Sequence, residues 1–232
     1  MGETRTISTP DGDFTAYLAR PHAAKAPALV VIQEIFGVNQ VMRDITDDFA
    51  RHGYLAVCPD LFWRIEPGID ITDKSEAEWK RAFELFNAFG VDTGVKDIAA
   101  ALANIRADPG CSGAVGAVGF CLGGLLAFLT ATRTDADAAV GYYGVGIERH
   151  LREADALVTP VLLHIAEEDQ FVPKEAQAQI IAALKNRAQA AIHTYPGRDH
   201  AFARKGGEHY DAADAALADE RTLAFLRAKL AR

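Results

Sequence analysis

Three residues far apart in the chain carry the side chains that nucleophilic catalysis needs. Cys121 is the centre of Gly119-Phe120-Cys121-Leu122-Gly123, the thiol version of the G-x-S-x-G turn that presents a nucleophile between a strand and a helix. The turn strains the nucleophile's backbone, so its neighbours must be small, and the helix that follows points its N-terminus at the reacting centre. A thiol is only slightly ionised at neutral pH, so it needs a base to take its proton and an acid to fix the tautomer of that base. His200, in Arg198-Asp199-His200-Ala201-Phe202, is the candidate base, and Asp169, in Glu167-Glu168-Asp169-Gln170-Phe171, the candidate acid. Glu167 or Glu168 could take the place of Asp169, whereas Asp199 is a poorer choice because adjacent side chains in an extended loop point apart. Taken singly, each residue has a bland reading: a small core cysteine, a loop histidine, a helix-capping acid. The order nucleophile, acid, histidine at three strand ends outweighs those readings. His22, His52, His150, His164, His193 and His209 show no such context and read as ordinary histidines.

Such a trio must be held by a sheet. Residues 114–118 are small and apolar like a buried strand, and 122–132 read as a buried helix. Earlier, 4–8 and 14–19 flank Pro10-Asp11-Gly12-Asp13 and predict an antiparallel hairpin. Strands are expected at 28–33, 55–58, 138–143, 161–166 and 190–195, and helices at 41–51, 75–89, 95–107, 174–186 and 212–230, with an irregular excursion over 61–73. Strands alternating with helices after a hairpin predict a mostly parallel twisted sheet of about eight strands, with helices on both faces, in one domain over 1–232. Helix 75–89 carries Trp79, Phe83 and Phe86 at i, i+4 and i+7, a stripe suited to the core or to a pocket wall.

With 50% hydrophobic residues in 232, the chain can bury a large core. Its 32 acids against 24 bases leave a net charge of −8, which argues against nucleic acid or an anionic membrane as partner. Three cysteines cannot all pair, and the N-terminal stretch has neither a basic n-region nor an apolar h-region, so the cytoplasm is the expected location. No apolar run is long enough to span a bilayer. The glycines around Cys121 match neither phosphate-loop spacing, and the absence of H-E-x-x-H and C-x-x-C gives no sign of a metal.

The chain resembles the dienelactone hydrolase (carboxymethylenebutenolidase) family. The resemblance rests on Gln33-Glu34-Ile35-Phe36-Gly37-Val38-Asn39, Ala56-Val57-Cys58-Pro59-Asp60-Leu61, Gly119-Phe120-Cys121-Leu122-Gly123-Gly124, Val140-Gly141-Tyr142-Tyr143-Gly144-Val145-Gly146, Asp169 with Phe171-Val172-Pro173, and His200-Ala201-Phe202-Ala203-Arg204. It implies an α/β-hydrolase fold, no cofactor or metal, and a Cys121-His200-Asp169 triad that opens a lactone ring through a thioester. The Leu122 and Ile35 N–H groups would bind the oxyanion, and Glu34 would hold the thiol neutral until substrate displaces it. Arg204 would meet the carboxylate of a small lactone, with Phe36, Trp79, Phe83, Phe86 and Tyr142 as further contacts. Where the family carries a second arginine this chain has Trp79, so that cation is expected to be weakened or rebuilt from Lys80 or Arg64, in a more apolar pocket. A monomer is expected. The alternatives are a thiol hydrolase of another enol lactone, activated ester or thioester, and a non-catalytic member that binds a ligand or senses redox state.

Overall fold

A computed structural model describes residues 2–231. Its eight strands form one mixed, mostly parallel sheet in the order β1-β2-β4-β3-β5-β6-β7-β8, the strands being β1 Glu3–Thr9, β2 Gly12–Ala19, β3 Ala26–Ile32, β4 Leu55–Pro59, β5 Cys111–Phe120, β6 Ala138–Tyr142, β7 Val161–Ala166 and β8 Ala190–Tyr195. This is the α/β-hydrolase fold. The chain falls into two compact units, one ending at Ala117 and the other spanning Val118–Ala231.

In the first unit β1 and β2 form the expected hairpin, β2 pairs antiparallel with β4, and β4 runs parallel to β3. Its helices are α1 Gln40–Arg51, α2 Glu76–Ala88 and α3 Val91–Arg106. Asn39 caps α1 by accepting the Met42 N–H at 3.1 Å, and its amide donates to the Ile71 carbonyl at 2.9 Å. The excursion after β4 is irregular, as the sequence predicts, and folds around the Asp60 carboxylate. That group accepts the N–H groups of Phe62 at 3.0 Å and Gly68 at 2.7 Å. Helix α3 begins four residues earlier than the apolar spacing indicates, because Gly94 lets Phe89 pack against the first turn. A Cβ there would lie 2.3 Å from the Phe89 ring.

The second unit carries parallel β6, β7 and β8, with α4 Leu122–Arg133, α5 Lys174–Leu184 and α6 Ala212–Leu230. Helix α4 is apolar all round and buried from Leu122 to Ala131, as a central helix must be. A 3-10 helix, Ile147–Ala156, was not legible in Ile147-Glu148-Arg149-His150, whose charges follow no regular period. Strand β6 ends one residue sooner than expected, because Tyr143 turns to φ 38° after its N–H has bonded to β7. All three cysteines are free and buried. No helix among the described residues is long and apolar enough to cross a membrane.

Candidate active site

Between β5 and α4 the chain reverses at Cys121, which has φ 56° and ψ −115°. A non-glycine residue there is strained, and it persists only when its surroundings hold it. Those surroundings are close. The Cys121 N–H donates to the Tyr142 carbonyl at 3.1 Å, and its own carbonyl accepts from Gly124 at 2.9 Å and Val145 at 3.3 Å. Glycine is required on both sides: a Cβ on Gly119 would stand 1.9 Å from the Gly123 carbonyl oxygen, and one on Gly124 2.5 Å from that of Tyr142. Leu122 opens α4, so its N–H is one of the first-turn donors that the helix leaves without an internal acceptor.

Two loops at strand ends meet this turn. After β7, Asp169 accepts the Phe171 N–H at 2.8 Å on one carboxylate oxygen and lies 2.8 Å from His200 Nδ1 with the other. His200, after β8, hydrogen-bonds the Cys121 side chain. Cys121, Asp169 and His200 are each less than a tenth exposed. Burial works against a charged imidazole. The negative charge that Cys121 can carry and the hydrogen bonds from Asp169 and Cys121 outweigh it, raising His200 from an ordinary 6.5 to about 10. The arrangement therefore sets a buried, Asp169-held imidazole beside the sulfur, as a base for a thiol must be.

Among the competing acids, Asp199 has a different task. One of its oxygens accepts the His200 N–H at 2.6 Å and the Gln170 N–H at 3.1 Å, stitching the two loops together. Glu168 points to Lys174 at 2.8 Å.

Residues that the sequence did not single out also shape the site. The rings of Tyr143 and Phe171 stand edge-on to His200, with centroids at 5.0 and 4.9 Å. Tyr142 corrects an expectation. It was anticipated as a substrate contact, but it is fully buried, with its hydroxyl 2.6 Å from Thr222 Oγ1 and 3.1 Å from Asp219. The alternation along β6 sends Tyr142 into the core. The left-handed turn at Tyr143 brings the next ring to His200 instead. Ala201, at φ 61°, is the third non-glycine residue with positive φ among the described residues, and all three lie in or beside this site. Arg204 is half-buried one turn beyond His200, and its N–H donates to the Ala201 carbonyl at 2.9 Å.

The first unit holds the remaining candidates. Glu34 and Ile35 are buried in the segment after β3, where the Gln33 amide donates to the Glu34 carbonyl at 3.3 Å. Phe36 meets Trp79 edge-on at 5.1 Å, and Trp79 stacks on the partly exposed Phe83 at 5.6 Å. The Trp79 indole N–H is fixed to the Asp73 carbonyl at 3.1 Å. Phe86 is half-buried on the same helix and Lys80 is exposed. Arg64, a candidate for rebuilding the lost cation, is committed to Asp97 through two bonds of 3.0 and 2.8 Å and to Asp11 at 2.9 Å.

Comparison with known proteins places this geometry in context. The model of the dienelactone hydrolase family matches residues 14–230. A protein of Azospirillum brasilense is 52% identical over 224 residues, which cover 95% of either chain. The carboxymethylenebutenolidase of Pseudomonas putida is 41% identical, covering 97% of this chain and 96% of its own. A crystal structure from Klebsiella pneumoniae superimposes with a TM-score of 0.84 at 28% identity, covering 97% of each chain.

Proposed function

The chain belongs to the dienelactone hydrolase family and is a hydrolase of lactone ester bonds, and from that premise we propose that it opens dienelactone to maleylacetate with Cys121, His200 and Asp169 as its triad. The observation that carries this reading is the continuous line from Asp169 through His200 Nδ1 to the Cys121 side chain, on a nucleophile turn of positive φ.

In this mechanism His200 takes the thiol proton as the Cys121 sulfur attacks the lactone carbonyl carbon, and the carbonyl oxygen takes up negative charge between the N–H groups of Leu122 and Ile35. Collapse breaks the ring C–O bond and leaves a thioester on Cys121. His200 gives its proton to the departing enolate, which becomes the ketone of maleylacetate. Neutral His200 then takes a proton from water, the water oxygen attacks the thioester, and the second carboxylate leaves as the thiol re-forms. Asp169 holds the imidazole tautomer through both halves. An enolate departs more readily than an alkoxide, so a thiol suffices for this ring and alkyl esters are poor substrates.

Glu34 is the residue that restrains the thiol, accepting its S–H until a substrate displaces the Glu34 carboxylate. A Glu34→Gln variant whose thiol titrates like the wild type would remove that role. Arg204 meets the substrate carboxylate, and Phe36, Trp79, Phe83 and Phe86 contact its carbon skeleton. In this reading the protein works as a cytoplasmic, cofactor-free, single-domain monomer.

The test is hydrolysis of cis- and trans-dienelactone, with p-nitrophenyl acetate as a generic activated ester, by wild type and Cys121→Ala. The expected result is fast lactone turnover that falls by about 10³-fold or more in the variant. Cleavage of the generic ester alone, still through Cys121, would leave the thiol mechanism standing and redirect the substrate to another enol lactone or thioester. The aromatic group of Phe36, Trp79 and Phe83 favours that second reading.

A further inference from the structure

Beneath the active site of the second unit, four fully buried side chains from β6, β7, β8 and α6 form one polar chain. Tyr195 Oη lies 2.7 Å from His164 Nδ1, His164 Nε2 2.9 Å from Thr222 Oγ1, Thr222 Oγ1 2.6 Å from Tyr142 Oη, and Tyr142 Oη 3.1 Å from the Asp219 carboxylate. The direction of every bond can be deduced from its end. A carboxylate only accepts, so Tyr142 spends its proton on Asp219. Thr222 must then donate to Tyr142, which leaves the Thr222 oxygen to accept from His164 Nε2–H. A neutral imidazole has one donor and one acceptor, so His164 Nδ1 accepts from the Tyr195 hydroxyl. At the far end the Arg221 guanidinium lies over the Tyr195 ring, 5.5 Å from its centroid. The chain therefore starts at a cation and finishes at an anion, both carried by α6, and every buried polar group in it is satisfied.

Its middle member is tied to the catalytic groups. The His164 carbonyl accepts the Tyr143 N–H at 2.8 Å, and Tyr143 is the ring edge-on to His200. Tyr142, held by the chain at its hydroxyl, accepts the Cys121 N–H at its carbonyl. Tyr142 and His164 are also register partners between β6 and β7, and Asp169 follows the end of β7. A small apolar cavity of roughly 10 Å³, lined by Tyr143, Leu163, Asp169 and Ile180, lies along the same strand tips, so packing supports them less on that side.

We propose that His164 is a positioning residue of the active site: as the neutral, Nε2-protonated member of a one-way hydrogen-bond chain from Tyr195 to Asp219, it fixes the tips of β6 and β7 that align Cys121, His200 and Asp169. The proposal rests on the triad reading given above. Burial, with His193 stacked on it at 6.0 Å and Arg221 nearby, keeps His164 well below its ordinary range. Asp219, at the anionic end of the chain, lies beyond Thr222 and Tyr142 from His164.

The experiment compares wild type with His164→Leu, Thr222→Val and the conservative His164→Gln, each assayed where it is folded, on dienelactone and p-nitrophenyl acetate. The first two variants are expected to lose about tenfold or more in kcat on both substrates, with KM changed by less than about twofold, since misplacing reacting groups costs rate rather than binding. The alkaline limb of their rate profile is expected to move to lower pH as His200 loses its alignment, and His164→Gln to recover part of both losses. Wild-type kcat and an unmoved limb, with only the melting temperature lowered, would make His164 merely structural and overturn the proposal. If the variants do not fold, the wild-type imidazole ¹⁵N spectrum decides. A protonated Nε2 with bare Nδ1, unchanged down to about pH 5, is expected; the other tautomer, or titration near the free-histidine range, overturns it. Inert dienelactone alongside Cys121-dependent ester cleavage that still responds to His164 would remove the lactone and keep the positioning role. Ester cleavage that survives Cys121→Ala would remove both.

Discussion

His200 is where burial and partnership oppose each other most strongly. Its charged form is favoured by Cys121 and Asp169 against the penalty of an enclosed ring, so removing a partner lets the penalty show. Asp169→Asn is expected to lower kcat/KM by roughly 10²- to 10⁴-fold, as an amide fixes the wrong tautomer. It should also bring the alkaline limb down from the region of pH 10, because His200 loses its proton sooner. A pH–rate profile with that limb in place would show that Asp169 does not hold the imidazole. At this scale the trio was legible because each member ends a strand and the three types are chemically complementary. Tyr142 was misassigned, since the neighbouring tyrosines Tyr142 and Tyr143 differ only in a backbone turn that side-chain identity does not encode. Asp199 reads from the sequence as a poorer triad acid, and its bridging of two loops depends on their approach in space.

At the scale of elements, the strands announced themselves as apolar runs bounded by turn residues, and the observed limits differ from the expected ones by one to three residues at most ends. The 3-10 helix Ile147–Ala156 did not, because tertiary contacts rather than periodicity hold it. One of those contacts is Glu153, which accepts two bonds from Arg133 at the end of α4, at 2.8 and 2.6 Å. The Arg133 hydrogen bonds, helped by Thr132 and opposed by burial, pull the Glu153 carboxyl from 4.5 to about 2. A folded-state value below the unfolded one stabilises above pH 4.5, and that contribution disappears as pH falls toward 2. Glu153→Gln should therefore be less stable than wild type near neutrality, by about 1 kcal/mol or less after discounting for solvent screening. Urea midpoints of the two proteins should converge near pH 2, and a gap that persists there would assign the effect to packing.

For the molecule as a whole, the boundary between the two compact units falls within β5, between Ala117 and Val118, where both residues are fully buried. A linker between independent domains would be exposed and flexible; this boundary is the middle of a core strand. The single-domain reading therefore predicts one unfolding transition. Both tryptophans, Trp63 and Trp79, belong to the first unit, so their fluorescence reports that unit, while the imidazole NMR signals of His164, buried in the second unit, report the other. Urea midpoints from the two probes should coincide, and separate transitions would divide the chain into two domains.

The stitch made by Asp199 has a thermal consequence. Its one oxygen holds the N–H groups of Gln170 and His200, adding to the Glu168 N–H bond to the Arg198 carbonyl at 2.8 Å that also joins the acid loop to the histidine loop. Replacing it with alanine removes little of the core, yet frees both loops to fluctuate. Asp199→Ala should lose activity on warming several degrees before circular dichroism registers any melting, whereas in the wild type the two losses should fall close together.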